Sequence, residues 1–379
     1  SGRAAISARE ETTPLVNGQI RYTYFHGEGG DDGNRLLDSS LEVGYRYFAV
    51  QAGKLSTWYG PGRNGALVFT NNAAPYPGVR MHNPEPIPMP GWFHFLGNVQ
   101  YDFFAARMEK KERFSHSILV GTRLAARPAG GLEFGFSRAL HYGGEGRDDG
   151  ISEFFTNYFG SNESSGRSNP LSAFDITLTL PFPFQPVQVY WERGVGDDSR
   201  LGRMFVPWSD VGANILGLYF PRALRFSRLD LRIEYADTCS GDARDDNGYD
   251  HPAYPHRYRG HILGHPMGGS ARDWFVESRY SLSPDSFAGV SYERVLHDGG
   301  DRKGERREVV SAGLIGWLSK KWRGEVRASW ERVTGEGGVP GRAGTDIAAW
   351  VALSWQTNVL VPSDEEEEVP IREIQGVTQ

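Results

Sequence analysis

Phe174-Asp175-Ile176-Thr177-Leu178-Thr179-Leu180 decides the fold class, because its residues alternate without a break. In an extended chain Phe174, Ile176, Leu178 and Leu180 fall on one face, and Asp175, Thr177 and Thr179 on the other. Period-two alternation of this kind marks a strand with one wet and one apolar face. Asp230-Leu231-Arg232-Ile233-Glu234-Tyr235 repeats it, with Leu231, Ile233 and Tyr235 apolar. In Gly324-Glu325-Val326-Arg327-Ala328-Ser329-Trp330-Glu331 the polar face is Glu325, Arg327, Ser329 and Glu331. Similar runs recur at 18–26, 39–49, 48–57, 92–108, 113–126, 130–142, 172–181, 186–195, 211–220, 226–237, 273–283, 286–297, 306–318, 321–333 and 345–356. The longer ones have room for two strands. An all-β, transmembrane antiparallel β-barrel of about 16–18 strands follows, since single-chain bacterial barrels favour even counts and a crossing strand needs about 9–11 residues.

Composition agrees with that class. The 379 residues carry a net charge of -6 and 48 glycines, and the aromatic share is 13%. Mean hydropathy is -0.48, and no window approaches the ~18 apolar residues of a spanning helix. That argues against helical spans and not against barrel strands, which are only half apolar. Cys239 is the single cysteine, so neither an intrachain disulfide nor a cysteine-rich metal site is expected. The mild negative charge gives no reason to expect a nucleic-acid partner. No Gly-x-Ser-x-Gly elbow, phosphate loop or dinucleotide fingerprint is present, so neither catalysis nor a cofactor is expected. Ser1 to Ala5 lack the apolar core of a signal peptide, so a mature form is expected.

The two strand faces make separate predictions. Glu42 and Arg46, Arg232 and Glu234, Glu277 and Arg279, and Glu325, Arg327 and Glu331 share the inner side. They form either interlocked ion pairs facing a wet lumen or a charged ladder that selects a permeant or a bound glycan. Wet ion pairs are each worth at most about 1 kcal/mol, so they orient and exclude more than they stabilise. The outward faces are assigned Tyr235, Trp317, Trp330, Tyr280, Tyr292 and Trp350, an interfacial aromatic girdle. Outer-membrane lipid is the implied partner.

Between the strands lie segments that cannot be regular. Trp58-Tyr59-Gly60-Pro61-Gly62-Arg63-Asn64-Gly65 and Asn71-Asn72-Ala73-Ala74-Pro75-Tyr76-Pro77 are too rich in Gly, Pro and Asn for strand or helix. In a lipid-spanning barrel such a loop survives only in the lumen or at a mouth. Polar insertions at 27–37, 143–170, 197–209 and 238–272 exceed the about 2–5 residues of a hairpin turn and read as surface loops. Within the second, Ile151, Phe154, Phe155, Tyr158 and Phe159 have helical spacing. They predict a short helix packed in or over the barrel and helping to occlude it, or one lying on the membrane surface. The domains are then a 1–16 N-terminal segment, a 17–357 barrel and a 358–379 acidic tail. The run Asp364-Glu365-Glu366-Glu367-Glu368 reads as a solvated tail or a peptide that docks a protein partner.

Glycan sites set aromatic faces beside Asn, Asp and Arg partners. Trp58, Tyr59, Arg63, Asn64, Asn71 and Asn72 offer that chemistry, as do Tyr254, Tyr258, Arg259 and His261. Gly60, Pro61, Gly62, Pro75, Gly264 and Pro266 would shape the turns that present them. The competing reading makes the first set a lumen constriction and the second a loop folded over the mouth. His261 and His265 have the i, i+4 spacing of a helical zinc site. Gly260, Gly264 and Pro266 argue against a helix there, so His251, His256, His261 and His265 are read as hydrogen-bonding loop imidazoles and no metal site is expected. The segment 242–250 looks faintly like a calcium loop, but Ala243 falls where the first carboxylate belongs.

Four patches, in order, give a resemblance to the Wzi family of capsule-assembly outer-membrane proteins. They are Lys54 to Pro77, Gly135-Phe136-Ser137-Arg138-Ala139-Leu140-His141-Tyr142-Gly143-Gly144, Ile151 to Gly160 leading to Ala173-Phe174-Asp175, and Tyr258-Arg259-Gly260-His261-Ile262-Leu263-Gly264-His265-Pro266-Met267-Gly268-Gly269. The resemblance implies an occluded barrel in the bacterial outer membrane that binds surface polysaccharide as a lectin and not as an enzyme. The best-known members carry an N-terminal helical segment, for which residues 1–16 leave no room, and this chain continues past Trp355. Those departures keep open an outer-membrane channel or a scaffold barrel within an envelope complex.

Overall fold

The computed structural model describes residues 2–8, 15–25, 33–109, 114–159, 166–196, 212–238, 249–319, 322–339 and 341–356. Its elements in chain order are β1 (Gly2–Ala8), β2 (Leu15–Phe25), β3 (Gly33–Tyr45), β4 (Phe48–Leu55), β5 (Tyr76–His82), β6 (Ile87–Pro88), β7 (Asn98–Arg107), β8 (Ile118–Ala129), β9 (Leu132–Tyr142) and α1 (Ile151–Phe159). There follow β10 (Ser168–Leu180), β11 (Val187–Val195), β12 (Ala213–Phe220), β13 (Leu229–Asp237), β14 (Arg257–Tyr258), β15 (His261–Ile262), β16 (Ala271–Ser283), β17 (Ser286–His297), β18 (Arg306–Trp317), β19 (Trp322–Thr334) and β20 (Ala343–Gln356). Among the described residues an 18-stranded sheet forms, with β14 and β15 making a separate two-stranded hairpin.

The sheet is an antiparallel meander. Each long strand pairs with its neighbour in sequence, as β9 does with β10 and β10 with β11. The meander passes over the short β6 at β5–β7, and over the β14–β15 hairpin at β13–β16. A parallel contact through Ala4↔Trp355 and Ala5↔Gln356 brings β20 beside β1. The fold class read from alternation is therefore that of a β-barrel.

Cross-strand partners point to the same side of a sheet, so the register sorts every strand into two faces. Asp175 is 1% exposed on the inner face, while Leu178 of the same strand is 39% exposed on the outer one. Val43, Val79, Val276, Val290 and Val310 also stand exposed on the outer side. A continuous exposed apolar wall of this kind is far larger than soluble monomers tolerate. The two ends of the barrel differ. At one end the connections are tight, with Arg46–Tyr47, Gly130–Gly131 and Pro284–Asp285 as whole turns. At the other, segments 56–75, 143–167, 196–212 and 238–270 join the strands.

The structure corrects four expectations. First, Trp317 pairs with Arg323, and Trp350 with Arg327, which put both tryptophans on the charged inner side and not in the outer girdle. A run read by itself does not reveal which of its two faces points inward, and only register resolves that. Second, α1 does not occlude the lumen. Phe154 and Tyr158 pack on Phe103, Ile118, Val120, Leu140 and Tyr142 of the outer wall, and the Tyr158 hydroxyl bonds Thr122 Oγ1 at 2.9 Å. Among the described residues the occluding elements are loops. Third, β1 and the start of β2 at Leu15 lie within the 1–16 segment, so the sheet begins earlier than residue 17. Fourth, Gly91–Leu96 is a 3-10 turn and not the start of a strand. The segment 358–379 and its acidic run lie outside the described residues.

Candidate functional site

The loop 56–75 turns inward and fills the bore. Gly60 has φ of 149°, and a Cβ there would lie 2.4 Å from Glu192 Oε2, so a side chain is excluded on both counts. At Gly62 a Cβ would meet the Gly65 carbonyl at 2.1 Å, which makes the reversal glycine-dependent. Tyr59 N donates to Phe69 O at 3.0 Å and closes the loop on itself. Ala66, Leu67, Val68 and Phe69 then bury completely against Phe104, Leu119, Leu171 and Ile215 of the inner wall. Phe69 meets Phe104 edge-on at 5.1 Å and Tyr59 at 5.4 Å.

An irregular buried loop must find partners for its N–H groups. Here strand carboxylates supply them from across the bore. Glu234 accepts from Arg63 N at 2.5 Å and Asn64 N at 2.8 Å, and the Tyr190 hydroxyl also donates to it. Glu192 accepts from Leu67 N at 2.9 Å. Asn64 Nδ2 donates to Asp273 at 2.8 Å and Glu293 at 3.1 Å. Arg63 reaches Glu277, near the middle of β16, at 3.3 Å. Four strands, β11, β13, β16 and β17, thus grip one loop.

A second loop, running from Tyr249 to Ser270, lies over the first. The Tyr249 hydroxyl donates to Leu67 O at 2.5 Å, and His256 Nε2 bonds Val68 O at 2.6 Å. Thr70 N donates to Leu263 O at 2.6 Å and its hydroxyl to Gly264 O at 2.7 Å. A Cβ on Gly264 would lie 2.5 Å from Leu67 O, so only glycine permits this approach. Burial pushes the His256 imidazole down to about 4 and His265 down to about 3. Both are therefore neutral near pH 7, and a neutral ring can use one nitrogen as donor to the Val68 carbonyl.

The candidate residues divide into three groups. Tyr59, Tyr254 and Tyr258 are at most 2% exposed, so their rings brace the loops and offer no face to a sugar. The Tyr59 hydroxyl bonds Asp102, and that of Tyr254 bonds Gly143 O at 2.9 Å. Arg63 and Asn64 project toward the mid-bore carboxylates. Trp58, Asn71, Asn72, Arg259 and His261 are exposed. Asn72 Nδ2 donates to Ile262 O at 2.9 Å, which ties the two loops together. Tyr258 pairs with His261 across a turn made by Arg259 (φ 51°) and Gly260 (φ 82°). Arg259 Nε donates to Glu109 at 3.0 Å and holds that carboxyl below its ordinary range. The two joined loops thus carry Asn71, Asn72, Arg259 and His261 as exposed polar groups, with half-buried Glu109 held on Arg259. Pro61, Pro75 and Pro266 are half-buried in the supporting turns.

The histidines do not converge. His261 is exposed, while His256 and His265 are buried and His251 Nδ1 accepts from Tyr254 N at 3.0 Å. Residues 242–248 of the calcium-like stretch lie outside the described residues. Reading runs one at a time missed Glu192, Asp273 and Glu293 as loop anchors. Their signal is positional. Asp175 stands directly opposite Glu192, and two neighbouring inner carboxylates imply donors brought from elsewhere. Arg123 at 2.8 Å answers Asp175, and the loop backbone answers Glu192.

A family model described as capsule assembly protein Wzi matches residues 1–345. The chain is 31% identical over 151 residues to an uncharacterized 55.8 kDa protein in the cps region of Klebsiella pneumoniae. That match covers 38% of this chain and only 30% of the Klebsiella protein. Among solved structures the chain is similar to Wzi of Escherichia coli, described as an outer membrane protein involved in group 1 capsule assembly and as a carbohydrate-binding β-barrel. The two share 19% identity with a TM-score of 0.73, over 92% of this chain and 76% of that one.

Proposed function

The chain belongs to the Wzi family of capsule assembly proteins, and from that premise we propose that it is a non-enzymatic barrel of the bacterial outer membrane that binds or organises surface polysaccharide at its long-loop mouth. The observation that carries the reading is the double loop plug. Its buried side packs into the bore, and its outer side presents Asn71, Asn72, Arg259 and His261. Amides, a guanidinium and an imidazole are the groups that bind sugar hydroxyls and carboxylates by hydrogen bonds. Trp58, on the same loop as Asn71 and Asn72, is an exposed aromatic surface. Lipid covers the exposed apolar outer wall.

The experiment is capture of surface polysaccharide by the full chain in detergent micelles. Replacing Asn71, Asn72, Arg259 and His261 together by alanine is expected to cut capture at least tenfold while the β-sheet circular dichroism stays unchanged. Unaltered capture would remove this patch as the site. A channel is the second reading, and the plug bears on it directly: steady open-channel current through the unmodified chain in a planar bilayer would favour transport. A scaffold role would show as loss of a copurifying envelope protein on deletion of 358–379.

A further inference from the structure

Below the plug, the register assembles an inner-wall surface that the reading above does not use. Arg279 pairs with Gly289, Gly289 with Gly313, Gly313 with Arg327, and Arg327 with Trp350. One cross-strand row is therefore arginine, two glycines, arginine and tryptophan. The next row toward the plug is Glu277, Ser291, Ser311 and Ser329, again in direct register. The paired glycines leave a trough where side chains would stand, since a Cβ on either would touch the neighbouring arginine stem, at 3.3 Å from Arg279 Cγ and 3.2 Å from Arg327 Cγ. The result is an open cleft of about 80 Å³, with Arg63 of the plug as its roof.

The polar groups lining the cleft are poised for a ligand. Arg279 lies over the Phe287 ring at 4.2 Å, and its Nε is buried without a hydrogen-bond partner. Arg327 lies over Trp350 at 5.9 Å and shares Glu325 at 2.5 Å. The two guanidinium-bearing residues are three strand spacings apart, about 14 Å, so their side chains can close on a small ring from both sides. A planar guanidinium matches a carboxylate in a two-bond fork. The serine row and Glu277 match hydroxyls, which can donate to the carboxylate and exchange bonds with the serines. A bare multivalent anion would be repelled by Glu277 and Glu325, whereas an acidic sugar uses both kinds of group.

We propose that this lumenal cleft, between Arg279 and Arg327 on the short-turn side of the plug, is a second binding site that takes a carboxylate-bearing sugar unit. It rests on the glycan-binding reading for its biological sense but not for its test. Glucuronate is titrated into the full chain in detergent and followed by calorimetry, with glucose and inorganic phosphate as comparison ligands. Saturable binding of glucuronate, at least tenfold tighter than either comparison ligand, is expected. Arg279→Gln and Arg327→Gln should each weaken it about tenfold, and Arg279→Lys should weaken it less. Gly313→Ala, which shallows the trough, should weaken it without removing a charge. The four-alanine variant of the outer mouth should bind glucuronate as the unmodified chain does, so that failure of the mouth and failure of the cleft remain separate results. Absence of saturable binding, equal binding of glucose or phosphate, or indifference to Arg279→Gln would each overturn the proposal.

Discussion

At the scale of the residue, the plug depends on a few acceptors. Glu234 takes two backbone N–H groups and a tyrosine hydroxyl, and no other described side chain bonds those two amides. Leaving a buried donor unsatisfied costs roughly 1–3 kcal/mol. Glu234→Leu is therefore expected to speed hydrogen exchange at Arg63 and Asn64 by at least tenfold, while strand amides in β18 and β19 keep their protection. A second prediction concerns pH. His256 and His265 have folded values of about 4 and about 3, below the ordinary 6.5. The unfolded loop therefore binds more protons than the folded one, and their contribution is complete above about pH 6.5 and lost as pH falls toward 4 and 3. Limited proteolysis of the Tyr249–Ser270 loop should accelerate across that window, and His256→Gln, which keeps a donor for the Val68 carbonyl, should blunt the acceleration. Much of this scale was closed to sequence reading. Tyr254 and Tyr258 look like sugar platforms by type, and only their contacts reveal them as braces. Glu192 looks like any lumenal charge until Asp175 is seen beside it.

At the scale of the element, alternation was legible wherever a strand is half wet. β10, β13 and β19 stand where their patterns put them. β5 was not legible, since Pro77 and Gly78 interrupt it and Tyr76 is buried with the plug while Gly78 and Arg80 are half-buried. The helix α1 was legible as a helix but not as to side, because its spacing is satisfied equally by an inner or an outer wall. Its placement leaves Ile151 at 77%, Phe155 at 51% and Phe159 at 75% exposure along one stripe, beside a wall that is itself apolar. Such a stripe belongs in lipid. A tryptophan introduced at Phe155 is expected to be quenched by brominated acyl chains, and Phe155→Asp with Phe159→Asp should release α1 to protease without altering sheet content. A quench no greater than that of a fully solvated control would place the stripe in water instead.

At the scale of the whole molecule, the barrel class followed from strands that repeat one pattern along most of the chain, and hydropathy averages did not reveal it. The occlusion was legible in part, since a Gly- and Pro-rich stretch between strands survives only in the lumen or at a mouth. What fills the bore, however, depends on contacts between residues as far apart as Leu67 and Tyr249, which no local pattern encodes. Replacing residues 60–70 by a short glycine linker is expected to leave a heat-resistant sheet and to open a measurable conductance, because the linker supplies neither the buried Leu67–Phe69 cluster nor the amides that Glu192 and Glu234 hold.

The grip of β11, β13, β16 and β17 on a single loop also has a mechanical meaning. Under the proposed function, a long chain moored at the long-loop mouth would tug on Asn72 and on the hairpin it is tied to. That load would pass through Leu67, Asn64 and Arg63 into separate staves of the barrel, with no one hydrogen bond bearing it alone. The bore is stoppered in the manner of an anchor bolt whose flukes are set in different planks, so drag from outside is shared by the wall instead of uncorking it.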